Sequence, residues 1–142
     1  MYQMLIPTLA IVVAAVQNLG GVTVCSSAGA LAKNFVASVS TDTPRKGQNV
    51  TTVFDFDLDA PITGGIVKYA ATLNGFPYSA TAVLCDDTQK SGDPCPLLPG
   101  HHHQESTSTN TVSGKLVTRI TWLNEAGAEI LCAEIATKTL LE

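Results

Sequence analysis

The chain has 142 residues and a formal net charge of −4; 45% of its residues are hydrophobic, 14% charged and 6% aromatic. Soluble domains ordinarily carry about 25% charged residues, and here 9 Ser and 17 Thr supply much of the polarity instead. Few charges and many β-branched residues argue against a disordered chain, and 8 Lys+Arg against 12 Asp+Glu with no basic run argue against a nucleic-acid partner.

Lys33 is the first charged residue. The apolar run from Met4 to Val16 has the length of a signal-peptide h-region and is too short to span a bilayer. Val13-Ala14-Ala15 and Gly20-Gly21 offer small residues for cleavage, although no Lys or Arg precedes the run. Residues 1–20 are therefore expected to be a signal peptide. One domain remains, 22–142, with no linker or internal repeat, of a length that can bury a core. Export predicts a secreted protein, or one in the lumen of the endomembrane or lysosomal system. Cys25, Cys85, Cys95 and Cys132 permit three full pairings, and disulfides are the expected state of an exported chain. A bridge between Cys85 and Cys95 would close the turn-rich stretch they bracket, leaving Cys25 and Cys132 to join the ends of the domain. Zinc is the competing use, but no Cys-x-x-Cys pair is present.

Strands follow. Val50 to Leu58 alternates, with Phe54, Phe56 and Leu58 on one face and Asp55 and Asp57 on the other. Ala60-Pro61 breaks it and Thr63-Gly64-Gly65 turns the chain. Ile66 to Leu73 then sets Val67, Tyr69, Ala71 and Leu73 opposite Lys68, and Asn74-Gly75 signals a hairpin into Phe76–Leu84. Pro99 to Asn110 is the most polar segment and reads as a loop or frayed strand. Gly114 to Leu123 alternates again, with Leu116, Ile120 and Trp122 opposed to Lys115, Arg119 and Thr121; Asn124 to Gly127 turns into Ala128–Leu141. Short strands separated by turns, with no helical stretch beyond the signal, predict an all-β antiparallel sandwich.

Three polar features invite chemistry. His101-His102-His103 offers metal ligands, yet in an extended segment His102 faces away from the other two. A solvated loop near a pocket mouth is the preferred reading; on that placement, histidine titration predicts stronger membrane engagement in acid. Asp55, Asp57 and Asp59 share one face, but no nucleophile or second carboxylate cluster completes a catalytic or calcium site, which leaves them as a solvated outer face. Ser26-Ser27 lies in no Gly-x-Ser-x-Gly elbow. Asn49-Val50-Thr51 is a glycosylation sequon.

An ordered series of motifs carries a resemblance: Cys25-Ser-Ser, Lys46-Gly47-Gln48 before a Phe-bearing strand, Asn74-Gly75, Cys95-Pro96-Leu97, Trp122-Leu123, and Leu131-Cys132-Ala-Glu-Ile135. Over 22–142 the chain resembles the myeloid-differentiation-factor-related lipid-recognition (ML) domain family, which includes secreted cholesterol carriers and fungal phospholipid-transfer proteins. The resemblance implies an immunoglobulin-like two-sheet sandwich that holds a lipid between its sheets, without catalytic residues or cofactor. It also implies bridges Cys25–Cys132 and Cys85–Cys95. No cysteine lies between Cys25 and Cys85, so a short early bridge found in animal members is absent. Tyr78-Ser-Ala80 and Val112-Ser113-Gly114 stand where the cholesterol carriers place aromatics at the mouth, which leaves sterol and phospholipid both open.

The expected function is a monomeric, non-enzymatic carrier of a sterol or phospholipid that touches membranes transiently. Its candidate lipid-binding residues are Phe54, Phe56, Leu58, Val67, Tyr69, Leu73, Phe76, Tyr78, Leu116, Ile120, Trp122 and Ile135, around a mouth formed by Phe76–Ala80, Leu97–His103 and Val112–Lys115. The alternative is an immunoglobulin-like recognition module with a filled core that binds a protein partner. A hydrolase with its site at the histidines is a third possibility.

Overall fold

Period-two alternation sends one row of each long strand inward and the other to solvent. The computed structural model describes residues 21–139; the expected signal peptide, 1–20, lies outside the described residues. The strands are β1 (Val22–Val24), β2 (Lys33–Val39), β3 (Asn49–Leu58), β4 (Gly65–Leu73), β5 (Phe76–Val83), β6 (Gly100–Thr109), β7 (Gly114–Asn124) and β8 (Glu129–Thr139), and one helix, α1 (Leu84–Lys90), joins β5 to β6. All the pairings are antiparallel, in a five-stranded sheet of order β1-β8-β7-β4-β5 and a three-stranded sheet of order β2-β3-β6. This is the all-β, immunoglobulin-like sandwich that the sequence predicts.

Local chemistry sets the strand ends. Asn74 and Gly75 both take positive φ, 51° and 87°, as a two-residue turn twisting with its strands requires, and Leu73 pairs with Phe76 across it. In the β7–β8 turn the Asn124 side-chain oxygen accepts from the backbone N–H groups of Ala126 and Ala128, at 3.0 and 2.9 Å. The two bridges are Cys25–Cys132, which ties the segment after β1 to β8, and Cys85–Cys95, which fastens α1 to the segment before β6.

The sheets are packed at one end. Phe56, Val67, Leu97, Ile130 and Leu131 have no exposed surface there. Phe35 of β2 meets Phe54 edge-on at 5.1 Å between ring centroids, and Trp122 reaches across from β7 to within 5.8 Å of Phe54 and 5.7 Å of Phe56. Edge contacts of this kind add about 0.5–1.5 kcal/mol per pair beyond the area they bury.

Two expectations are corrected. Of the two readings of the polar segment 99–110, the loop is excluded and the strand holds, unfrayed: β6 pairs with β3 over ten consecutive positions, from Leu58↔Gly100 to Asn49↔Thr109. The stretch after β5 is a helix of seven residues, with Leu84 and Thr88 buried on one side, Asp86 and Asp87 in the first turn and Lys90 in the last. Those charges favour both helix ends.

Candidate functional site

Away from the aromatic cluster the inward rows shrink and become mixed, and the sheets part. On β3 the inward row runs from Phe54 to Thr52 and Val50; on β7 it runs from Trp122 through Ile120 and Thr118 to Leu116. Two neighbouring cavities occupy the gap and share Thr52 and Ile120 in their walls.

The first, about 240 Å³, is floored by Phe54, Trp122 and Ile120, with Gln104 and Ser106 of β6 and Asp87, Lys90 and Ser91 at the side. The Tyr69 hydroxyl of β4 donates to the Asp87 carboxylate of α1. Burial, then that carboxylate, pushes the phenol well above its ordinary value, so it stays a protonated donor. Asp93, just beyond α1, receives the Gln104 side-chain N–H at 2.8 Å and lies 2.7 Å from His102 Nδ1. The α1 segment thus spans the open side of the sandwich, bonded to β4 by Asp87 and to β6 by Asp93.

The second cavity, about 360 Å³, is walled by Val50, Leu73, Leu116, Ile135, Thr118 and Thr137, and opens between Pro44, Tyr78 and Asn110–Val112. Its lining residues carry no formal charge. Two asparagines build the rim. Asn110 accepts from Gly47 N–H at 2.7 Å through its carbonyl, and its side-chain amide donates to Arg45 O at 3.2 Å. Asn74 accepts from Lys115 N–H at 2.9 Å through its side-chain oxygen and donates its own backbone N–H to Lys115 O. Three loops are thereby fixed around one opening.

The candidate residues divide by position. Phe54, Tyr69, Ile120 and Trp122 line the first cavity, and Leu73, Tyr78, Leu116, Ile120 and Ile135 the second. Phe56, Leu58 and Val67 line neither and lie in the packed end. Phe76 stands on the rim side of the hairpin with 78% of its surface exposed. Apolar alternation overlooked Val50, Thr52, Thr118, Thr137 and the polar row of β6. Extending the inward parity of β3, β7 and β8 through their Thr positions would have found the strand residues. Asp87 and Lys90 had no such signal, because α1 was unassigned.

The histidines are not at the mouth. They open β6 beside the end of β3, whereas the opening lies past Thr109 at the other end of that strand, roughly 20–25 Å away at about 3.3 Å per residue. His102 turns inward and stacks on Phe56 at 5.3 Å. His101 and His103 point outward, with His101 Nδ1 2.8 Å from Asp57 and His103 Nδ1 2.7 Å from Asp55. These contacts hold His101 and His103 above the usual imidazole value; Asp57 is held below the usual carboxylate value first by the Asn34 side-chain amide, which donates to it at 2.9 Å, and then by His101. Asp59 is exposed beyond β3, and Asn49 is exposed at its start, where its side-chain oxygen accepts from Thr109 Oγ1 at 2.9 Å.

A two-sheet antiparallel sandwich, solid at one end and hollow at the other, defines the class: an immunoglobulin-like domain with an internal cavity. Residues 22–139 match the ML domain family model, and the chain belongs to that family. Among solved structures it is similar to a Niemann-Pick type C2 protein from the Japanese carpenter ant, with TM-score 0.63 and 17% identity over 82% of this chain and 97% of that one. Chicken MD-1 complexed with lipid IVa is similar at TM-score 0.60 and 18% identity, over 84% and 88%. Among curated proteins there is no match to the chain.

Proposed function

We propose that this protein is a non-enzymatic lipid carrier that encloses the apolar part of a sterol or phospholipid between its sheets. The observation that carries the reading is the hollow half of the sandwich, a cavity of about 360 Å³ lined by aliphatic and uncharged polar side chains and open at Tyr78 and Val112. Membership of the ML family and the lipid in the chicken MD-1 complex support it. Burial at about 25 cal/mol per Å² gives a hydrocarbon covering some 300 Å² roughly 7 kcal/mol before association costs. No charged contact is needed to hold such a ligand. The lipid enters at the rim, where Phe76 and Tyr78 meet the membrane transiently, and its tail reaches Ile120. Export as a secreted or lumenal protein accords with the two disulfides.

Native mass spectrometry and lipid extraction of the purified protein, with displacement of a fluorescent sterol and a fluorescent phospholipid, test the reading. A stoichiometric lipid, or saturable binding of either probe, is expected. Failure of both probes together with an empty native protein rejects it.

A further inference from the structure

The outer face of the three-stranded sheet carries a cluster of side chains that the cavity does not use. Register assembles it. β3 and β6 pair Asp57 with His101, Asp55 with His103 and Val53 with Glu105, and period-two alternation turns the acidic and imidazole side chains to one side. Asp55 Oδ1 lies 3.3 Å from His101 Nε2 and 2.7 Å from His103 Nδ1, so one carboxylate sits between the two rings. Each ring presents its other nitrogen to a separate carboxylate: His101 Nδ1 lies 2.8 Å from Asp57, and His103 Nε2 lies 3.6 Å from Glu105. Asp57 is fixed in turn by the Asn34 amide of β2, which donates to it at 2.9 Å.

No Lys or Arg neutralises these three carboxylates. Lys33 stands opposite Asp57 on β2, yet its ammonium donates to Ala30 O at 3.0 Å, and among the described residues every ion pair involves a histidine. Nor does the strand need the cluster, since ten paired positions hold β6 to β3. A metal-ligating imidazole ordinarily gives its second ring nitrogen to a carboxylate, carbonyl or water, which fixes the ring and its tautomer. Both rings are backed by carboxylates in that way here. Two imidazoles with a carboxylate suit zinc, copper or nickel, whereas calcium and magnesium prefer all-oxygen sets. Around zinc, donors about 2.0–2.2 Å from the ion stand about 3.3 Å apart at tetrahedral angles. The His101–Asp55 separation already has that value, and the His103–Asp55 contact must widen by about half an ångström to reach it.

We infer that Asp55, His101 and His103 form a binding site for a divalent transition-metal ion, zinc being the representative, on the outer face of the small sheet. His101 binds through Nε2 and keeps its Nδ1 proton on Asp57. His103 binds through Nδ1, and its proton moves to Nε2 on the Glu105 side. As they stand the donors contact one another, and among the described residues no three such side chains are already spread around an ion. The last torsions of Asp and His are broad, so modest rotations open the gap. Both histidine side chains are more than half exposed, so the ion can enter and solvent completes its shell. With ligands from both strands, the ion clips the edge strand β6 to β3. The site is independent of the carrier reading, lying on the opposite face of the sheet from the cavity.

The test is calorimetric titration of zinc chloride, and separately of calcium chloride, into the purified protein at neutral pH, free of any polyhistidine tag and stripped of metal with a chelator. One zinc per chain is expected, with a rise in Tm that calcium does not reproduce. His101→Gln and His103→Gln should each abolish the zinc isotherm. Asp57 is a positioning residue: Asp57→Ala should weaken zinc binding about 10-fold or more, and Asp57→Asn, which keeps an acceptor for His101 Nδ1, should weaken it less. Asp59→Asn, outside the cluster, should leave the affinity unchanged. Absence of saturable zinc binding, full binding by either histidine variant, or equal uptake of calcium overturns the inference. Unchanged affinity in Asp57→Ala overturns it too, because a bare pair of surface histidines needs no such support. So does one zinc per two chains with zinc-dependent dimers, which would assign the histidines to a contact between copies.

Discussion

His101 and His103 sit on the outer face of the three-stranded sheet against Asp55 and Asp57, and their effect on stability has a defined sign. A histidine held above its ordinary value stabilises the fold below the unfolded-state value near 6.5, and the gain is lost as pH rises through the folded value. Asp57, held below its ordinary value, stabilises above about 3.9 and loses that contribution as pH falls through its folded value. Both contributions are therefore in place between about pH 4 and 6.5. His101→Gln with His103→Gln should lower Tm at pH 5.5 and have a smaller effect at pH 8.5; a pH-independent difference would show that the carboxylates do not act through the imidazolium. A second residue-scale prediction concerns Gly114, which has φ 104° and whose added Cβ would lie 2.1 Å from Asn74 Oδ1. Gly114→Ala should cost about 1–3 kcal/mol in urea titration and displace the rim amide. Gly127→Ala, where nothing lies within 4 Å, carries the backbone cost alone and should cost less.

At the scale of elements, the legible strands were those with one apolar face. β3, β4 and β7 alternate cleanly in sequence, and their inward residues were assigned correctly to a face. β6 was not legible, because His102, Gln104, Ser106 and Ser108 make its inner row as polar as its outer one. Its strand conformation comes from ten paired positions on β3, a long-range cause that no window of sequence contains. Likewise, α1 is too short for a helical period to emerge, and Asp87 and Lys90 entered the cavity wall unannounced. The bridges were partly legible: spacing left the pairing open, and the resemblance to the ML family implied the pair that the structure shows. Their stabilities should differ. In the chain-entropy model a bridge spanning 107 residues contributes roughly 4–5 kcal/mol and one spanning 10 roughly 2–3. Cys25→Ala with Cys132→Ala should therefore lower the urea midpoint further than Cys85→Ala with Cys95→Ala. The second pair should instead loosen α1, read as faster amide exchange at Thr88 and Ser91. A larger loss of global stability from the short bridge would mean that α1 belongs to the folding core.

For the whole molecule, solid and hollow ends imply that similar substitutions have opposite consequences at the two. Phe56 has no exposed surface, touches Trp122 and stacks on His102, so Phe56→Ala leaves a void and should cost about 3–5 kcal/mol. Leu116 borders space that is already open. Leu116→Ala removes area without creating an enclosed void and should cost less than the usual Leu→Ala loss of about 2–5 kcal/mol. Enlargement should reverse the order. Thr52 is shared by both cavities, and Thr52→Phe would put a ring into that junction, across the path that the carrier reading gives a ligand's tail. In a close-packed core added bulk costs about 1–3 kcal/mol; here the open volume accepts it, so urea stability should change by less than about 1 kcal/mol while binding of a fluorescent sterol or phospholipid falls at least about tenfold. A filled recognition module behaves differently: Thr52→Phe would destabilise it and Leu116→Ala would cost a full core penalty. Measured side by side, stability and lipid binding of these three variants decide whether the hollow end is a working compartment.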